Sequence, residues 1–297
     1  MKSISILILA FILTGCSGGG SDAAATDPGT ITLTATLNLQ CDLNAIYSPV
    51  TPPITSAGTG TPTTTVIALH GKSGSPLNGV ISTLATDLNA QGYNIIRPYM
   101  PWSSLVWSGT LCDGISYINE LIVAEKAIGN SVILLGHSLG GVVVLSYTAL
   151  ANTTKPDGLT VMAPGHYVPN SSGLNAKHAA SILEAKNKIA AGQGDVHATF
   201  QTSDYDISAT PNVYLTFHGI DQLTDQFSDI KAGISLISVP TLWLPGSSDP
   251  LTGTTKSLGI IDTVSANSFF TYKEIVGDHY TLVDNVTDVL DPWFKGL

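Results

Sequence analysis

Val132-Ile133-Leu134-Leu135-Gly136-His137-Ser138-Leu139-Gly140-Gly141-Val142 is the stretch on which the reading of this chain turns. Four apolar residues in a row suit a strand buried on both faces. They run into Gly-x-Ser-x-Gly, and an apolar, helix-compatible stretch begins at Val142. Between a strand and a helix this spacing has a steric purpose. The serine occupies a sharp, strained turn, and side chains two positions to either side would collide with it. Ser138 is therefore expected at the tip of such a turn, exposed beyond the carboxyl end of a buried strand.

Working outward, the same apolar signature recurs at Val66–Leu69, Tyr93–Ile96, Leu159–Met162 and Thr241–Leu244. Leu77–Gln91 and Ile115–Ile128 lie among these runs and carry apolar residues three or four apart, the spacing of a helix with one buried face. Strands alternating with helices in this way predict an α/β fold, a doubly wound, mostly parallel sheet with helices on both faces. Ligands in such folds bind beyond the carboxyl ends of the strands. Upstream, Ile31–Leu39 alternates apolar residues with Thr and Asn, as an edge strand with one solvated face would. Ser48–Thr64, rich in Pro, Thr and Gly, is read as a loop, and Phe269–Val276 as a final strand. The stretch from about His166 to Val239, residues 166–239, is too long for a simple crossover and is read as a cap inserted before the strand at Thr241. Within it Ala179, Ile182 and Ile189 mark a helix that Gly192 and Gly194 would end. Phe200, Tyr205, Tyr214 and Phe217 suit either an apolar part of a substrate or ordinary packing.

Gly-His-Ser-Leu-Gly-Gly at 136–141 resembles the elbow of the α/β-hydrolase superfamily, and the resemblance extends over residues 31–297. In that family the nucleophile is followed in chain order by an acid and then a histidine. Gly246-Ser247-Ser248-Asp249-Pro250-Leu251 resembles its acid loop and gives Asp249. Gly277-Asp278-His279 resembles its histidine position and makes His279 the general base. Leu69-His70-Gly71-Lys72-Ser73-Gly74-Ser75 looks like its oxyanion loop. The implied oxyanion donors are the backbone N–H groups of Lys72 and of Leu139, the residue after the nucleophile. Because these are backbone groups, the lysine side chain is unconstrained by that role, although it would add positive potential near a developing oxyanion. His137 and His70 fall at family positions other than the base. His166, His178, His197 and His218 lie at the edge of the cap or inside it and read as structural or surface histidines. Pro98–Trp102, again beyond a strand, would floor an acyl pocket or belong to the core.

The implied chemistry is cleavage of a carboxylic ester, or a related acyl bond, through a Ser138–His279–Asp249 triad and an acyl-enzyme. The substrate would be a small-molecule ester, and the mechanism calls for no metal and no cofactor. Thioester or amide hydrolysis, carbon–carbon cleavage and acyl transfer to an alcohol can run on the same triad, since specificity resides in cap and loops. A non-catalytic, lipid-anchored binding module is the alternative of a different class.

At the amino end, Lys2 precedes an apolar run, Ile4–Leu13, too short to span a bilayer, which reads as a signal peptide over residues 1–15. Leu13-Thr14-Gly15-Cys16 resembles the lipobox of bacterial lipoproteins and implies lipidation at Cys16, hence a membrane anchor. Ser17, rather than Asp, after that cysteine leans toward the outer membrane. Residues 16–29 then form a flexible tether of Gly, Ser, Ala and Asp. A single domain over 30–297, about 265 residues, is large enough for a substantial core. The chain carries a net charge of −10 and one arginine, Arg97. That balance argues against a nucleic-acid partner and leaves no arginine cluster for a polyanion. With Cys16 acylated, Cys41 and Cys112 remain. An oxidising envelope compartment could join them, and two buried thiols would read the same in sequence.

Overall fold

The computed structural model describes residues 41–44, 47–60, 62–165, 176–202, 205–218, 230–257 and 259–297. The stretches expected to be a signal peptide and a tether, Cys16 with its expected lipidation, the strand expected at Ile31–Leu39 and His166 lie outside the described residues, and so does the side chain of His178.

Among the described residues seven strands form one sheet: β1 (Ile54–Ser56), β2 (Thr64–Leu69), β3 (Asn94–Arg97), β4 (Ser131–His137), β5 (Gly158–Met162), β8 (Thr241–Leu244) and β9 (Phe270–Tyr272). Their order across it is β1-β3-β2-β4-β5-β8-β9. All neighbours run parallel except β1, which lies antiparallel to β3 at the edge. The α/β architecture expected from the apolar runs is thus what the chain adopts. The register pairs Leu135 of β4 with Ala68 of β2 and with Thr160 of β5, which aligns the carboxyl ends of the three central strands.

The reason lies in the strands' two apolar faces. Ile67, Leu69, Leu134, Val161 and Trp243 pack into one core, and Val66, Ala68, Ile133, Leu135, Leu242 and Leu244 into the other. Helix α1 (Gly79–Ala90) buries Val80, Ile81, Leu84, Ala85 and Leu88 in the second core. Helix α2 (Leu111–Ala127) adds Leu111, Ile115, Ile118 and Ile122 to the first. It begins with a capping box: Asp113 N donates to Thr110 Oγ1, and Thr110 N donates back to the Asp113 carboxylate. Such reciprocal capping holds a helix start to within a residue. A disulfide joins Cys41 to Cys112 in the first turn of α2 and ties the start of the described chain to that layer.

Two sequence expectations need correction. Ser48–Thr64 is not wholly loop, because Ile54–Ser56 is strand β1. Its three residues are too few to show a period, and Pro52-Pro53 just before them hides a strand that only an edge position tolerates. The final strand is shorter than Phe269–Val276: β9 ends at Tyr272, where exposed Lys273 and Glu274 follow, and only Ile275 bridges back, to Gly246.

Between β5 and β8 the chain forms α4 (Ala176–Ala190), an antiparallel hairpin of β6 (Ala198–Gln201) and β7 (Asp206–Ala209), α5 (Pro211–His218) and α6 (Ile230–Leu236). Gly192, at φ +76°, follows α4 where the sequence anticipates its end. The buried face of α4 carries Ile182 and Ala185, whereas Ala179 and Ile189 are exposed. Phe200, Tyr214 and Phe217 are fully buried. Phe217 packs edge-on against Trp102 and Trp107, and Phe200 stacks on Tyr214. These aromatics pack the described chain between β5 and β8 against the sheet's flanking layer, and Met100 and Trp102 are core likewise. The hairpin also docks by its backbone: Trp107 N donates to Ser208 O and Ser208 N to Leu105 O, both at 2.8 Å.

Candidate active site

After β4 the chain turns into α3 (Leu139–Ala149) through Ser138, whose φ of 56° and ψ of −119° form a conformation that non-glycine residues rarely adopt. The flanking glycines make this turn sterically possible. A Cβ at Gly136 would lie 2.2 Å from Gly140 O, and one at Gly140 would lie 2.7 Å from Leu69 O. The elbow therefore closes on itself at one glycine and on the end of β2 at the other. Ser138 N donates to Met162 O of β5, anchoring the turn between neighbouring strands.

The residues expected from later in the chain converge here. His279 Nε2 is 2.9 Å from Ser138 Oγ, and His279 Nδ1 is 2.8 Å from Asp249 Oδ2. Asp249 is 4% exposed, and its other oxygen accepts the Leu251 N–H at 2.8 Å. A carboxylate held in this way accepts from Nδ1, which leaves Nε2 free of its proton and facing the serine hydroxyl.

The loop after β2 lies against the nucleophile, where a Cβ on Gly71 would be 2.9 Å from Ser138 Cβ. His70 is buried: its Nε2 is 2.7 Å from Ser103 Oγ and its Nδ1 is 2.8 Å from Gly71 O. Ser103 Oγ accepts from Met100 N, so its own proton goes to Nε2, and Nδ1–H donates to the Gly71 carbonyl. That carbonyl belongs to the peptide whose N–H is Lys72's. The N–H of Leu139 begins α3 beside Ser138, at the positive end of the helix dipole. Gly165 borders the other side, where a Cβ would lie 3.4 Å from Ser138 Oγ and 3.7 Å from His279 Cε1.

His137, inside the elbow, is 2.7 Å from the His279 carbonyl through Nε2 and so holds the backbone of the histidine beside the serine. Burial lowers its pKa to about 4, helped by the neighbouring His279. Burial lowers His70 to about 4 as well, against a smaller opposing effect of its bond to Gly71. His218 is buried between Trp107 and Tyr214, and His197 contacts Ser208. Sequence reasoning did not single out Gly165, Ser103 or the contact of Tyr205 with Lys72, because only the folded chain brings them here.

The two buried imidazoles make stability depend on acid. Unfolded, they take up a proton near pH 6.5; folded, only near pH 4. Between these values the unfolded chain binds more protons, so stability is lost as pH falls through that window. At pH 5 linkage gives a loss of about 2 kcal/mol for each. Urea unfolding at pH 7 and pH 5 is expected to differ by about 4 kcal/mol, and equal stability at both would show that these rings are not held neutral.

A family model described as serine aminopeptidase, S33, matches residues 108–279. No curated protein matches the sequence. Among solved structures, Est1E from Butyrivibrio proteoclasticus, with ferulic acid bound, is 15% identical, with a TM-score of 0.56 over 82% of this chain and 94% of that one. A monoacylglycerol lipase of Paleococcus ferrophilus is 16% identical, with a TM-score of 0.60 over 82% and 98%. MenH from S. aureus is 15% identical, with a TM-score of 0.55 over 83% and 97%. At these identities the likeness is one of fold.

Proposed function

The chain belongs to the family described as serine aminopeptidase, S33, whose model spans more than half of it, and from that premise we propose a serine hydrolase that cleaves carboxylic esters. The observation that carries this reading is the continuous run of Ser138 Oγ, the His279 ring and the Asp249 carboxylate, each contact within 3 Å.

His279 Nε2 takes the Ser138 proton as Oγ adds to the ester carbonyl. The negative charge that develops on the carbonyl oxygen is met by the N–H groups of Leu139 and Lys72. The imidazolium, steadied by Asp249, gives its proton to the departing alkoxide, and an acyl-serine remains. Water, deprotonated by the same ring, repeats the sequence and frees the acid. The pinned backbone of His279 and the strained serine turn hold this geometry before substrate arrives, so little reorganisation is needed during the reaction.

The test is labelling of the full chain with a fluorescent fluorophosphonate, together with hydrolysis of p-nitrophenyl esters of increasing acyl length. The wild type should label at Ser138, and Ser138→Ala should lose labelling and at least about 10⁴ in turnover. A folded wild type that neither labels nor hydrolyses any ester would overturn the proposal. The family match favours peptide-bond cleavage as a second reading. Turnover of aminoacyl p-nitroanilides above that of the esters would select it while keeping the same three residues.

A further inference from the structure

Among the described residues between β5 and β8, Tyr205 reaches the oxyanion loop. Tyr205, in the turn between β6 and β7, donates its hydroxyl proton to Lys72 O at 2.9 Å. The ammonium of Lys72 lies over the Tyr205 ring, 5.0 Å from its centre. Both ends of residue 72 are thereby held. The peptide before its Cα is fastened at the Gly71 carbonyl, by His70 Nδ1–H and Gly74 N–H. The peptide after it is fastened by Tyr205. Beyond, Ser73 has φ +51° and its hydroxyl takes the indole N–H of Trp107 at 3.1 Å. Trp107 N in turn pairs with Ser208 of the same hairpin.

This arrangement bears on the donor directly. The Lys72 N–H turns away from the oxyanion only as the planar Gly71–Lys72 peptide rotates, through ψ of Gly71 and φ of Lys72, and the second of these is set against the peptide that follows. A bond to each carbonyl opposes that motion. The ring beneath the ammonium holds the side chain along the same tyrosine and adds a favourable cation–π contact. We propose that Tyr205 is a positioning residue for the oxyanion hole, acting through the Lys72 backbone, so that the inserted hairpin is part of the catalytic apparatus as well as a packed layer. The inference rests on the proposed ester hydrolysis, in which Lys72 N–H is one of two oxyanion donors.

Tyr205→Phe removes the hydroxyl and keeps the ring, the cation contact and the packing. A group that acts only when the carbonyl becomes tetrahedral should alter kcat and leave KM alone. In the full chain, kcat on a p-nitrophenyl ester should fall about tenfold, less than the 10² to 10³ seen when such a donor is removed outright. KM should stay within about twofold. The inhibition constant of butylboronic acid, whose adduct with Ser138 is tetrahedral and places an oxygen in the same hole, should rise by the factor that kcat falls. Tyr205→Ala, which also removes the ring, should reproduce this pattern with a larger loss.

Unchanged kcat and boronate affinity in Tyr205→Phe would overturn the inference. So would a higher KM at constant kcat, which would make Tyr205 a substrate contact. The wild-type arm separates the two proposals, since failure to label or hydrolyse there refutes ester hydrolysis itself and with it this role. An active wild type with an indifferent Tyr205→Phe refutes only the role.

Discussion

Asp249→Asn is expected to lower kcat for ester hydrolysis by about 10⁴ while the fold and KM stay close to those of the wild type. The cause is the hydrogen-bond inventory of the acid loop. Asp249 uses one oxygen to accept the Leu251 N–H and the other to accept from His279 Nδ1, both at 2.8 Å. Asparagine has one acceptor and one donor. Its oxygen would stay on the Leu251 N–H, which has a fixed backbone position, and its NH₂ would face His279. The imidazole would then accept at Nδ1 and carry its proton on Nε2, directed at Ser138 Oγ, where a base is required. Fluorophosphonate labelling should slow in parallel with turnover, and the thermal midpoint should move little because both hydrogen bonds survive. Activity within tenfold of the wild type would show that Asp249 does not set the tautomer of His279.

The sequence announces some of this arrangement and conceals the rest for physical reasons. Strands β2, β4, β5 and β8 are buried on both faces, so each appears as a short, largely apolar run, and the elbow declares itself through its glycines. Asp249 and His279 are legible because their loops resemble the family's acid and histidine positions, although β8 and β9 end several residues before them and the distances that join them to Ser138 come only with folding. Edge elements leave weaker traces. β1 is three residues long behind two prolines, and β9 is partly exposed and ends at a charged pair. The aromatics of the insertion left substrate binding and packing open. Phe200, Tyr214 and Phe217 prove to be packing, while half-buried Tyr205 reaches the oxyanion loop, a division set by folding, which turns Phe200 of β6 and Tyr214 and Phe217 of α5 inward and brings Tyr205, just before β7, to Lys72. Long-range contacts such as Tyr205 to Lys72 leave no local pattern, so composition and period cannot reveal them.

The elbow glycines show how closely catalysis depends on backbone contact, and Gly136→Ala is the change expected to expose it. An added Cβ would stand 2.2 Å from Gly140 O, 2.4 Å from Gly140 C and 2.7 Å from Gly141 N, all backbone atoms without a rotamer to change. The first turn of α3 must move away from β4, and Ser138 moves with it. Overpacking of this kind costs about 1–3 kcal/mol, or about 3–10 °C in thermal midpoint for a domain of this size. The functional loss should be larger than the loss of stability. A displacement of about 1 Å is enough to cost 10²-fold in rate, and here both the serine–histidine contact and the Leu139 donor are displaced by the same shift. Turnover is therefore expected to fall at least 10³-fold, with weak fluorophosphonate labelling, in a variant that retains Ser138, Asp249 and His279 and still folds at room temperature. Near-wild-type labelling would mean that the strand can yield while the turn stays in place. The serine's strained backbone would then be held by its hydrogen bond to Met162 O and by the packing of Gly140 on Leu69 O and His70 O, rather than by the close approach at Gly136.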